Sequence, residues 1–161
     1  MNSIYALVSI CIAQMAGIIG SVFTVSSVNG WYTTLVKSTL NPPSWVFGPA
    51  WVTLYTLMGL AAYLVWRKRH LPGAKLALTW YGVQLVLNAL WSVLFFGLQQ
   101  PGLAFAEIVA LLACIVVTSV LFWRVSPLAG ALMIPYIAWV AFASYLNVSI
   151  WLLNHAPVST F

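Results

Sequence analysis

Five apolar runs, each about as long as a bilayer is thick, constrain this chain more than any other feature. They cover approximately 4–26, 44–66, 76–98, 103–124 and 128–153. A hydrocarbon core of about 30 Å is crossed by roughly 20 helical residues, and only helices or closed barrels satisfy their backbone hydrogen bonds in lipid. None of the runs alternates strictly as a barrel strand does. The expectation is an all-α integral membrane protein, a five-transmembrane-helix bundle forming a single domain over 1–161.

The connecting segments, 27–43, 67–75, 99–102 and 125–127, carry the helix breakers. Asn41-Pro42-Pro43 precedes the second run, Leu71-Pro72-Gly73 interrupts a basic loop, Gln100-Pro101-Gly102 makes a tight turn and Ser126-Pro127 opens the fifth run. Short connections make consecutive helices antiparallel neighbours. Pro49 falls in the first turns of the second run, where a missing N–H costs little, whereas Pro135 lies deeper and predicts a kink. Only 27–43 is long enough to form a lid, and it holds Trp31 and Tyr32.

Charge placement then decides among function classes. Only 4% of residues are charged, against roughly 25% in soluble domains. The net charge of +5 comes from six Lys or Arg and one acid, Glu107. The cations sit between or at the ends of the apolar runs, which argues against nucleic acid and for a bilayer partner. With the N-terminus inside, Arg67, Lys68, Arg69, Lys75 and Arg124 are also inside, Lys37 alone is outside, and the C-terminus is outside. The first run is long enough to be a mature helix rather than a cleaved signal. Cys11 and Cys114 lie within apolar runs without metal or redox spacing, so no metal site is expected.

Polar and aromatic residues recur on helix faces within the runs. Gln84, Asn88, Trp91 and Phe95 share one face of the third run. Pro135, Trp139, Phe142, Ala143 and Asn147 repeat the pattern in the fifth, and Trp51, Tyr55 and Met58 in the second. Two explanations fit: amides bonded between helices, or the wall of a ligand cavity. Nine Trp is a high count; Trp31, Trp66, Trp123 and Trp151 near run ends suit an interfacial belt, while Trp51, Trp91 and Trp139 lie deeper. Together with Tyr55, the deeper three would suit a flat, largely apolar ligand.

Glu107, one turn into the fourth run, fits either helix capping and packing or proton and cation coupling. His70 and His155 have no partner pattern, which argues against axial iron ligation. No hydrolase, P-loop or dinucleotide motif is present, and a single acid excludes paired-carboxylate chemistry. Ala13, Gly17 and Gly20 would let the first helix approach another closely, in this protomer or in a partner.

The residues Trp31-Tyr32, Leu35, Lys37, Pro42-Pro43, Trp45, Phe47, Trp51 and Tyr55 resemble the translocator protein (TspO) family of tryptophan-rich sensory proteins, related to the peripheral benzodiazepine receptor. Asn88-Ala-Leu-Trp-Ser-Val-Leu-Phe-Phe-Gly97, Glu107, and Pro135-Tyr136-Ile-Ala-Trp139-Val-Ala-Phe142-Ala143 through Leu146-Asn147 continue the likeness, which spans about 29–154. It implies a five-helix bundle, often a homodimer, that binds porphyrin or haem as ligand and in several members sterols, isoquinolines or benzodiazepines, with no cofactor required. It places Trp51, Tyr55, Asn88, Trp91, Trp139, Phe142, Ala143 and Asn147 around the ligand, beneath a lid containing Trp31 and Tyr32. Light-dependent porphyrin degradation, proposed for some members, would make Trp51 and Trp139 catalytic.

Two departures bear on these expectations. Lys37-Ser38-Thr39-Leu40-Asn41 replaces the family's usual Lys-Pro-aromatic approach to the proline pair, so the lid should pack differently. The Tyr-then-basic pattern proposed for sterol recognition in animal members is missing after Asn147, where Val148-Ser149-Ile150-Trp151-Leu152 follows. That lowers the expectation of tight cholesterol binding and points to a bacterial-type member in a bacterial cell membrane. A sensor or carrier of tetrapyrroles leads; a photochemical enzyme and a proton-coupled exporter of lipophilic cations using Glu107 are the alternatives.

Overall fold

The structure, a computed structural model, describes residues 3–155. Its helices are α1 (Ser3–Val28), α2 (Trp31–Thr34), α3 (Ser44–Arg67), α4 (Ala74–Ser92), α5 (Pro101–Val125), α6 (Pro127–Leu132) and α7 (Ile134–His155). A π-helical turn, Val93–Gly97, extends α4, while α6 and α7 together make the last span. Among the described residues five segments are thus long and apolar enough to cross a membrane. Their limits lie within about two residues of the apolar runs, because the flanking Pro and Gly residues stop the helices.

The spans close into a ring in which α1 packs on α3, α3 on α6, α6 and α7 on α5, α5 on α4, and α4 back on α1. Small residues set these approaches. A Cβ on Gly59 would lie 2.5 Å from the Ile10 Cα, and one on Gly17 would overlap the Tyr55 ring. Ser9 Oγ donates to the Gly59 carbonyl at 2.7 Å across the same seam. Ala13 is fully buried, and a Cβ on Gly20 would meet Ser92 Oγ at 2.7 Å. The small residues of the first helix are therefore used within the protomer.

The ring is tight at one end and splayed at the other. At the tight end lie Arg67, Lys68, Arg69, Lys75 and Arg124, and Lys68 Nζ donates to the Val125 carbonyl at 3.2 Å. The Arg69 guanidinium sits 4.2 Å over the Trp66 ring, and Tyr5 near the start of α1 lies 4.8 Å from Trp66. At the opposite end α3 only grazes α7, and the 29–43 segment bridges the gap. The last span breaks at Met133, and Pro135 is the second residue of α7. There its absent N–H is one that a helix start leaves unpaired anyway, so the proline falls at a one-residue break in the span, with Met133 still near helical dihedrals.

Candidate functional site

The splayed end encloses a cavity of about 470 Å³. Its wall comes from α1 between Gln14 and Val28, α3 between Ser44 and Tyr55, the Asn88–Phe96 end of α4 and its π turn, and α7 between Trp139 and Ile150. From α5 it receives nothing. Ile18, Ser21 and Val25 of α1 and Ser44, Gly48 and Val52 of α3 line it yet remain exposed, so it opens sideways between these helices. Below that opening the seam is held by Gln14, whose Nε2 donates to the Val52 carbonyl at 3.0 Å and to Thr56 Oγ1 at 3.1 Å.

Neutral amides and phenols, tied to one another, form the polar part of the wall. The Tyr55 hydroxyl donates to Asn88 Oδ1. Asn88 Nδ2 donates to Tyr136 Oη at 3.0 Å, and the Tyr136 hydroxyl donates to Gln84 Oε1 at 2.9 Å. This chain joins α3, α4 and α7 behind the cavity, with Gln84 and Tyr136 wholly buried. Higher up, Trp91 Nε1 donates to Asn147 Oδ1 at 2.9 Å and Asn147 Nδ2 to the Pro101 carbonyl at 2.7 Å. An amide offers two donors and two lone pairs, so Asn88 and Asn147 each keep one of both for a ligand.

Aromatic rings form the rest. Trp51 stacks on Tyr55 with centroids 5.4 Å apart, and Trp91 stacks on Phe95 at 5.0 Å. Trp139 meets Phe47 edge-on at 6.0 Å, and its buried Nε1 has no hydrogen-bond partner. The π turn points the successive residues Phe95 and Phe96 inward beneath the lid, since its wider coil changes the angular step between neighbours.

The lid is pinned to α7 by a two-bond clamp. Val36 N donates to Asn154 Oδ1 at 3.0 Å, and Asn154 Nδ2 returns to the Val36 carbonyl at 2.9 Å. Tyr32 is buried and donates from its hydroxyl to Asn41 Oδ1 at 3.1 Å. Burial pushes the Tyr32 phenol above its ordinary range, the Asn41 contact offsetting part of that, so this group stays neutral.

Of the residues expected around a ligand, Tyr32, Trp51, Tyr55, Asn88, Trp91, Trp139, Ala143 and Asn147 come together on this wall. Two do not. Trp31 packs edge-on against Phe95, 5.7 Å between centroids, behind the lining. Phe142 faces a separate outer groove between α3 and α7 with Trp45, Pro49 and Pro135. At about 100° per residue, Phe142 falls on the far side of Trp139 from Ala143 and Asn147, which turns it out of the cavity. The α1 wall, with Gln14, Gly17, Ser21 and Thr24, is what sequence reasoning missed. Its spacing of small and polar residues on an otherwise apolar helix was the available signal.

Glu107 lies outside the lining, half-buried in α5, and neither carboxylate oxygen has a hydrogen-bond partner. No cluster of His, Cys, Asp or Glu able to hold a metal occurs among the described residues. Among the described residues the cavity wall has no His, Cys or Met, and its Tyr55 hydroxyl, a further kind of haem ligand, is bonded to Asn88.

Comparison with known proteins agrees with this architecture. Residues 7–152 match the model of the TspO/MBR family. The chain is 41% identical to the tryptophan-rich protein TspO of Archaeoglobus fulgidus, covering 96% of this chain and 99% of that protein. It is likewise 41% identical to the human translocator protein, with 85% and 82% covered. The tryptophan-rich sensory protein of Cereibacter sphaeroides is 39% identical over 77% of each chain. From the helix ring, the aromatic cavity and these matches, the chain belongs to the TspO/MBR family of integral membrane proteins.

Proposed function

We propose that this protein is a membrane-embedded sensor or carrier that binds tetrapyrroles such as porphyrin and haem, and accepts other flat lipophilic molecules in the same place. The observation that carries the proposal is the cavity itself: an enclosure walled by stacked Trp51–Tyr55 and Trp91–Phe95 pairs, with two half-committed amides. Its volume is within the roughly 300–1,000 Å³ typical of small-molecule sites. Broad apolar faces suit a flat macrocycle, and the remaining amide N–H and C=O groups orient it. The sideways opening between α1 and α3 suits a ligand dissolved in the bilayer. With no His, Cys or Met among its described residues and with Tyr32 and Tyr55 each donating a hydrogen bond within the protein, the wall favours binding through the macrocycle's faces over axial ligation of iron. Positive-inside placement supports an orientation with the basic end in the cytoplasm of a bacterial cell and the lid and C-terminus outside.

Light-dependent porphyrin breakdown is a second reading, supported by Trp51 and Trp139 both lining the cavity. Proton-coupled export would need Glu107 in a water-accessible cavity, and Glu107 is not on the wall. Titration of the detergent-purified protein with protoporphyrin, in the dark and then under illumination, tests the first two. Saturable binding with stable porphyrin supports a sensor or carrier; porphyrin loss that disappears in Trp139→Phe supports the enzyme; no saturable binding removes both.

A further inference from the structure

We propose that Lys37 is the counter-charge for an anionic edge of the ligand, so that the site selects flat apolar molecules bearing a carboxylate at one edge. This rests on the tetrapyrrole-type assignment above and goes further by naming what the ligand must carry and which residue reads it.

The first step is what the cavity cannot do. Its polar groups are neutral, and no Lys, Arg or His lines it. An ionised carboxylate buried among stacked aromatic rings would be unpaired, an arrangement too costly to persist. The charged edge of a seated ligand therefore lies at the cavity's rim. The basic end is closed by helix packing and the sideways opening between α1 and α3 faces hydrocarbon, where a charge is costly, so the rim available to a carboxylate is the lid end.

Lys37 is the sole Lys or Arg at that end, because the other five gather at the tight end of the ring. Its Nζ stands 4.5 Å over the ring of Tyr32, and Tyr32 lines the cavity. Among the described residues the ammonium donates once, to the Leu35 carbonyl at 3.1 Å, out of three available N–H groups. The sequence has one acidic side chain, and Glu107 in α5 has no hydrogen-bond partner on either oxygen. No carboxylate side chain therefore neutralises Lys37.

The position is also fixed. Val36 is held by both bonds of the Asn154 clamp, and Ser38 Oγ lies 3.1 Å from Tyr145 Oη. The residues on each side of Lys37 are thus tied to α7. Because the backbone is ordered before the ligand arrives, little ordering cost is left for binding. Contact with the Tyr32 ring holds the ammonium beside a residue of the cavity wall, and on this proposal the carboxylate edge of a seated ligand takes up the remaining N–H groups.

The competing explanation is that Lys37 is a strut, stabilising the lid through Tyr32 and Leu35 or reaching for the membrane interface. Measuring binding of protoporphyrin and of its dimethyl ester, in the intact chain and in Lys37→Met and Lys37→Arg variants, separates the two. Both ligands have the same macrocycle, and the ester lacks the charge. The expected result is that the intact protein prefers the acid about tenfold, equal to about 1.4 kcal/mol. Lys37→Met loses that preference by weakening acid binding alone, and Lys37→Arg keeps most of it. The preference also shrinks with added salt, while ester binding does not change. Unchanged ester affinity in Lys37→Met serves as the check on folding. Equal binding of acid and ester by the intact protein, or equal weakening of both in Lys37→Met, overturns the inference and leaves the tetrapyrrole site standing. Failure of the intact protein to bind either ligand takes down the site assignment and the inference with it.

Discussion

Trp91 and Asn147 face each other across the lid end of the bundle, the indole N–H donating to the amide oxygen at 2.9 Å. Since Asn147 also donates to the Pro101 carbonyl at 2.7 Å, one side chain joins α4, the start of α5 and α7. The same three-way tie sets the orientation of Trp91, whose ring forms part of the cavity wall.

Replacing Asn147 with Leu leaves the Trp91 indole N–H without its partner and removes a second hydrogen bond from the Pro101 carbonyl, which as the first residue of α5 still accepts within its helix. Orphaned buried groups cost about 1–3 kcal/mol, whereas single interhelical bonds in membranes average only about 0.6. With one donor orphaned and one further interhelical bond lost, a loss of about 1–2 kcal/mol is expected. A lowered thermal midpoint in detergent, with Trp91 freed to reorient and porphyrin affinity reduced, is the outcome to observe. An unchanged midpoint would mean that the tie contributes little.

The Tyr55–Asn88–Tyr136–Gln84 chain predicts non-additivity. Asn88→Ala cuts the chain in the middle, and Tyr136→Phe removes the next donor and acceptor. Residues sharing one network couple by about 0.5–3 kcal/mol. Denaturation of the two single variants and the double variant should show the double costing less than the sum, and simple additivity would argue that these groups act independently.

Gly17 governs the space in front of Tyr55. A methyl group there would lie 2.3 Å from the Tyr55 ring, so Gly17→Ala pushes the ring toward the cavity or forces α1 outward. Overpacking of this kind costs about 1–3 kcal/mol. Ligand affinity is expected to fall as well, because a displaced Tyr55 ring takes up space in the cavity it lines. Gly82→Ala, in the same bundle but with nothing within 4 Å of the added carbon, should leave affinity unchanged.

Glu107→Gln is expected to leave porphyrin affinity within twofold of the parent, since α5 contributes nothing to the wall. Stability should hold or rise, because the change replaces an unpartnered carboxylate in an apolar surround with a neutral group of the same shape. Abolished binding with intact folding would bring Glu107 back into the site.

The spans were legible in the sequence because lipid admits so few solutions: length and hydropathy alone located all five to within about two residues. The cavity wall was legible on α3, α4 and α7 wherever Trp, Tyr or Asn interrupts an apolar face. It was not legible on α1, where Gln14, Gly17, Ser21 and Thr24 look like helix-packing residues until the neighbouring helices are in place. Nor did periodicity foresee the π turn that brings Phe95 and Phe96 inward, because a wider coil arises from tertiary packing rather than from local preference. Phe142 shows the converse: one residue from Ala143 in sequence, it is turned about 100° around the helix, toward the outer groove.

The central claim is that a flat macrocycle sits inside the wall formed by α1, α3, α4 and α7. Ala143 borders that space and carries only a methyl group. The most direct measurement is a protoporphyrin titration, read by Trp fluorescence and porphyrin absorbance, of the parent protein beside Ala143→Phe. Saturable binding by the parent, lost in an Ala143→Phe variant whose helicity and thermal midpoint are retained, is the predicted result. Equal saturable binding by both would place the ligand outside the cavity and contradict the account.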